Sequence, residues 1–110
     1  MFFANELYAG YVADQSKNQI VRDLQNGIYN KDHYILALSE TEGDLLEIQA
    51  VTTFQNPVYL KYNPIDKRKV VGLAVGKTEA MDLLREIVAD IYNKTGELKI
   101  KQYFTFQQGD

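Results

Sequence analysis

Val70-Val71-Gly72-Leu73-Ala74-Val75 contains no polar side chain, and a long amphipathic segment follows it at once. A strand without a polar side cannot lie on a half-solvated sheet; it needs cover on both faces. Gly76-Lys77 reads as the turn and Thr78 as the N-cap of the next helix. From Glu79 to Lys94, the apolar residues Ala80, Leu83, Leu84, Ile87, Val88 and Ile91 fall on one side, flanked by Met81 and Tyr92. That stripe covers about half the circumference, wider than the ~100° of a surface helix, so the spacing predicts a deeply docked helix. Thr95-Gly96 ends it.

A second helix is expected from about Lys17 to Asn26. Ser16-Lys17-Asn18-Gln19 has capping-box spacing, Ile20, Val21 and Leu24 follow at helical intervals, and Asn26-Gly27 supplies a stop. Leu7–Val12 cannot extend this helix backward, because Leu7 and Tyr11 point away from Ile20 at ~100° per residue. It is either a separate helical turn or a first strand.

The other elements read as strands. Tyr34–Leu38 is a continuous apolar run, and Ser39–Asp44 reads as a hairpin loop. In Leu46–Phe54 the residues Leu46, Ile48, Ala50 and Phe54 alternate with Glu47, Gln49 and Thr53. Val58–Tyr62 repeats the alternation after Pro57, and a last strand carries Leu98, Ile100, Phe104 and Phe106 inward. The order α-β-β-β-β-α-β describes an α+β domain: a mainly antiparallel sheet of four to five strands with two helices. A right-handed crossover at the C-terminus would make the sheet mixed. If Leu7–Val12 is a strand, the plan approaches a ferredoxin-like arrangement with an added hairpin.

Composition narrows the function classes. A chain of 110 residues is one domain, 1–110, with an ordinary apolar share of 45%. It has no cysteine, which excludes disulfides, thiolate metal sites and a cysteine nucleophile. The first residues lack a basic region and a long apolar stretch, and no window approaches the ~18–20 apolar residues of a membrane span. The expectation is a cytoplasmic protein with no membrane partner. Net charge is −3, and the only basic run, Lys67-Arg68-Lys69, reads as a solvated loop, so no nucleic-acid partner is expected.

No motif carries chemistry through. Gly72–Thr78 resembles a phosphate-binding loop, but three residues separate its glycines where four are needed. Glu79 and Asp82 at the positive end of the helix would repel a phosphate there. His33 is the single histidine, and Ser39, on the same strand face, stands about 20 Å away at ~3.3 Å per residue. Glu40, Glu42, Asp44 and Glu47 lack the spacing of a calcium loop and read as a solvated turn. No catalytic residue, metal site or cofactor is assigned.

Two features suggest binding. Eight tyrosines with no tryptophan suit half-buried positions and interfaces. Glu79, Asp82, Glu86 and Asp90 form an acidic stripe opposite the apolar face of the last helix, and like charges at i,i+4 cost ~0.2–0.5 kcal/mol each. The outward sheet residues are expected to be Glu47, Gln49, Tyr59, Lys61, Lys99, Lys101 and Tyr103. The candidate binding set is therefore Glu79, Asp82, Glu86, Tyr59, Lys61, Tyr103 and His33. The preferred reading is a non-enzymatic interaction domain, self-associating as a homodimer, with a basic protein as a further partner of the stripe. The alternative is a small-molecule-binding regulatory or catalytic domain with a sheet-face pocket.

Overall fold

The computed structural model describes residues 1–40 and 46–106. Strand β1 (Phe2–Ala9) leads through Gly10 into a single helical turn, α1 (Tyr11–Asp14), and then into α2 (Lys17–Gln25). Strands β2 (His33–Leu38) and β3 (Leu46–Ala50) follow, then a 3-10 segment (Val51–Gln55) and α3 (Pro57–Tyr62). After a second 3-10 turn (Ile65–Lys67) come β4 (Lys69–Val75), the long helix α4 (Lys77–Thr95) and a last helical turn, α5 (Ile100–Tyr103). The sheet order is β1-β4-β2-β3, with β1 parallel to β4 and the other pairs antiparallel. The fold is α+β with a four-stranded mixed sheet.

The all-apolar strand is interior, with cover on each side. Val71 and Ala74 face α4, where they join Leu36, Leu38, Leu83, Ile87 and Ile91. Val70 and Leu73 face the other layer, with Ala13 of α1, Ile20 and Leu24 of α2, and Val51 and Phe54. Val70 and Leu73 share a face at a spacing of three because the β2–β4 register shifts between Leu36 and Ala37. Gly72 sits at that shift, and a Cβ there would stand 3.1 Å from a Leu83 methyl and 3.4 Å from one of Ile87. The missing side chain lets α4 lie close on the sheet. Each fully buried leucine or isoleucine contributes ~1.5–3 kcal/mol, so these two cores hold the fold.

Several sequence expectations need correction. The first regular element is a strand, so the order α-β-β-β-β-α-β does not hold. Leu7–Val12 is both alternatives in turn, the end of β1 and then α1. Up to β4 the chain order is β-α-α-β-β-α-β, and the sheet order β1-β4-β2-β3 with a parallel β1–β4 pair does not confirm the ferredoxin-like alternative. Val58–Tyr62 is helix rather than strand. Asn56 accepts N–H bonds from Val58 (2.9 Å) and Tyr59 (3.3 Å), and Pro57 occupies the first helical position, where its missing N–H costs nothing. Strand β3 stops at Ala50, because the 3-10 segment turns Val51 and Phe54 into the core.

The expected C-terminal strand is mostly the turn α5. Ile100 and Phe104, four residues apart, are buried together, and Leu98 is half exposed. Only an isolated bridge from Phe106 to Ala4 remains strand-like. Both proposed caps also differ. Helix α4 starts at Lys77, ahead of Thr78, and Ser16 makes no side-chain cap bond, since Gln19 turns to Asp23 and Arg22. Gly27 and Gly96 end their helices at φ 72° and 74°, the left-handed region expected of such stops. Most of the acidic hairpin loop, with Glu42 and Asp44, lies outside the described residues.

Candidate functional site

The parallel neighbours β1 and β4 end side by side, and their helices leave toward opposite faces: α1 and α2 to one, α4 to the other. In open sheets such a switch point is where ligands enter. Here the chain has filled it. One Glu79 carboxylate oxygen accepts the Val12 N–H at 2.6 Å, and the other accepts those of Val75 at 2.6 Å and Ala13 at 3.4 Å. A Cβ on Gly10 would stand 2.3 Å from the Glu79 Cγ, so only glycine admits this carboxylate. Glu79 therefore satisfies orphan donors of α1 and Val75. The Gly72–Thr78 segment has its own anion.

The rest of the acidic stripe divides among local partners. Asp82 pairs with Arg85 at 3.0 Å, and Asp90 pairs with Lys94 at 3.0 Å. Asp90 also accepts a very short hydrogen bond from the Tyr8 hydroxyl on β1. Lys94 reaches the Tyr103 hydroxyl at 3.4 Å, so β1, α4 and α5 are linked through polar groups. Burial first, and then the bond to Asp90, pushes the Tyr8 phenol well above its usual value. The Tyr8 bond, and then Lys94, hold Asp90 below the usual carboxylate range. Asp90, followed by Tyr103, raises the Lys94 ammonium. These shifts stabilise the resting protonation states, which suits a structural tie better than a proton-transfer site.

The other end of the sheet is less complete. Glu47 and Gln49 on β3 face the layer containing α3, and Gln49 donates a very short bond to the Tyr59 hydroxyl. Arg68 overturns the reading of its basic run as a solvated loop: it is 5% exposed, between exposed Lys67 and Lys69. Strand alternation turns it to the opposite face, where its guanidinium meets Glu47 at 3.4 Å. Its Nε and the Gln49 Oε1 are both buried without a hydrogen-bond partner. Outside them, α3 contains no buried residue, with Val58 67% and Tyr62 73% exposed. Lys61 lies over the Tyr62 ring at 5.6 Å. Among the described residues, no backbone group pairs with the outer side of β3.

The candidate residues therefore fall into separate places. Tyr59 and Lys61 are on α3, on one side of the sheet, whereas Glu79, Asp82 and Glu86 are on α4, on the other. Tyr103 joins the Asp90–Lys94 tie, and His33, half-buried, opens β2 with its N–H on the Asn30 carbonyl. Of the expected outward sheet residues only Glu47 and Gln49 lie on a strand, and helices flank both faces. Among the described residues of the acidic stripe, Glu86 alone has no ion-pair or hydrogen-bond partner. Sequence reasoning missed Arg68, Tyr8 and the open β3 edge; the alternation continuing from Val70 back to Arg68 was the available signal for the first. Among the described residues no helix is long and apolar enough to cross a membrane. No protein-family model, curated protein or solved structure matches the chain.

Proposed function

We propose that this chain is a non-enzymatic interaction domain that self-associates as a homodimer through β3 and α3. The observation that carries the reading is the β3 edge, unpaired among the described residues, beside a helix that packs only Tyr59 and Leu60 partly against the core and leaves Val58 and Tyr62 exposed. An edge strand presents unpaired N–H and C=O groups, a template for another strand. Pairing two β3 strands antiparallel about a two-fold axis joins the sheets into one. Val58 and Tyr62, four residues apart on α3, then supply apolar contact beside the new ladder. The Gln49–Tyr59 bond holds α3 against β3, so strand and helix form one surface. A basic partner on the acidic stripe is less favoured, since Glu79, Asp82 and Asp90 already have partners.

The test is native mass spectrometry with light scattering across a concentration series, for the wild type and a Val58→Glu/Tyr62→Glu variant. The wild type is expected at twice the 12.6 kDa chain mass. The variant, altered at exposed positions, should keep its melting temperature and lose roughly thirtyfold in dimer affinity, the ~2 kcal/mol of an interface hot spot. A wild type that stays monomeric overturns self-association. A dimer indifferent to both changes, with fast β3 amide exchange, overturns this interface.

A further inference from the structure

We infer that the cleft where β2 ends beside the start of β4 and the C-terminal segment is a binding site for a small organic anion with an aromatic body. The cleft has a volume of about 410 Å³, within the range of small-molecule sites. Lys67 enters it from the 3-10 turn, Lys69 from the first residue of β4 and Lys101 from α5. Glu40 is the one acid among the described lining residues, and Lys101 makes an interaction of its own, so the positive charge of the cleft rests on Lys67 and Lys69. This happens in a chain whose net charge is −3. The like charges of Lys67 and Lys69, brought together from the 3-10 turn and β4, repel one another, and low-dielectric walls strengthen their common field. A bound anion relieves that repulsion.

The apolar surface sets the ligand class. Leu38, Phe104 and Phe106 line the same cleft, and Leu38 and Phe104 are anchored in the core beneath α4. Lys69 is held over the Phe106 ring at 5.8 Å, and neither it nor Lys67 has a carboxylate within ion-pair distance among the described residues. Solvated lysines on a convex surface would spread apart; these lie around an aromatic floor. The combination suits a phosphate or carboxylate head among the lysines with a flat body against the phenylalanines. A hydrated inorganic ion would use only half of the site. The cleft is separate from the exposed face of α3, so the inference does not depend on self-association.

The test titrates phenyl phosphate, and separately inorganic phosphate, into isotopically labelled protein followed by amide chemical shifts. Phenyl phosphate is expected to give saturable shifts at Leu38, Lys69, Lys101, Phe104 and Phe106, with inorganic phosphate at least about tenfold weaker. A Lys69→Gln/Lys101→Gln variant should keep the wild-type spectrum elsewhere and lose about tenfold or more in affinity. The absence of saturable shifts up to about 10 mM, well beyond the millimolar affinity of a weak site, overturns the inference. Saturation at other residues does so too, as does unchanged affinity in the variant. Equal affinity for the two probes overturns the aromatic part of the assignment.

Discussion

On the outer side of β1 the Asn5 N–H donates to the Thr105 carbonyl at 2.8 Å, their side chains meet at 2.9 Å, and Phe106 bridges Ala4. Phe104 packs beneath this segment against Tyr8 and Tyr103, with ring centroids 5.9 and 5.2 Å apart. On the outer side of β3 no described residue pairs with the backbone, and the polar layer next to it is unfinished at Arg68 and Gln49. Both are edge strands of one sheet, and both would template another strand if left bare. The chain covers the first with its own C-terminal segment. Among the described residues nothing covers the second, which lies beside exposed Val58 and Tyr62. That asymmetry, more than any single residue, distinguishes the two edges of the sheet, and the proposed self-association rests on it.

Removing the cover should erase the asymmetry. Phe104 is 7% exposed and is the main anchor of the segment over β1, so Phe104→Ala is expected to cost about 3–5 kcal/mol. That is a large part of the ~5–15 kcal/mol holding a domain of this size. Denaturant melts measure the loss, and light scattering on the fraction still folded tests the edge argument. A protein with two open edges should form chains larger than dimers. A destabilised variant that remains strictly dimeric would mean the C-terminal segment is not what protects β1.

Just beyond the end of β1, Glu79 ties α1 to the end of β4, and a double-mutant cycle can isolate that tie. Glu79→Ala removes an acceptor from three backbone N–H groups, and an expected cost of about 2 kcal/mol allows for water replacing part of the interaction. Gly10→Ala alone should also destabilise, because its Cβ collides with the Glu79 side chain. Gly10 has φ −66°, which alanine adopts freely. In the Glu79→Ala background Gly10→Ala should therefore be nearly neutral, giving a coupling energy of about 1 kcal/mol or more. Strict additivity in urea melts would show that the two residues do not share this space.

How far the sequence foretold these two edges depends on the range of the interactions. The all-apolar β4, the α4 stripe, the span of α2 and the strand at Tyr34–Leu38 were legible, because local periodicity reports burial directly. The segments after Asn56 and Leu98 were misread for one shared reason. Short apolar runs fit alternation and helical spacing almost equally, and the deciding contacts are distant. The cap by Asn56 with Pro57 was a local signal for the first. For the second, the i,i+4 pair Ile100 and Phe104 was outweighed by an apparent alternation through Leu98 and Phe106. Two of the three Glu79 partners lay beyond any local reading, since Val12 and Ala13 are 67 and 66 residues away while Val75 is only four. The acidic stripe looked anomalous in part because Glu79 and Asp90 find partners on other elements, at Val12, Ala13 and Tyr8, while Arg85 and Lys94 pair with Asp82 and Asp90 within α4.

The smallest expected effect concerns pH, and it distinguishes a tie from an ornament at the closed edge. The folded Tyr8 phenol has a value raised above the ~10 of an unfolded tyrosine. Its contribution to stability is thus fully present below about pH 10 and is lost as pH rises toward the folded value. Asp90 has the opposite sign: its folded value lies below the ~3.9 of an unfolded aspartate. Its contribution is present above about pH 4 and fades as pH falls toward the folded value. Ultraviolet titration should show one of the eight tyrosines resisting ionisation while the protein stays folded. Tyr8→Phe should remove that resistant phenol, lessen the alkaline loss of stability and shift the acid limb upward, because Asp90 then keeps only Lys94. Hydrogen exchange at β1 should follow these changes while β3 does not. Parallel stability profiles for wild type and variant at both ends of the pH range would mean that packing alone, through Phe104, closes the β1 edge.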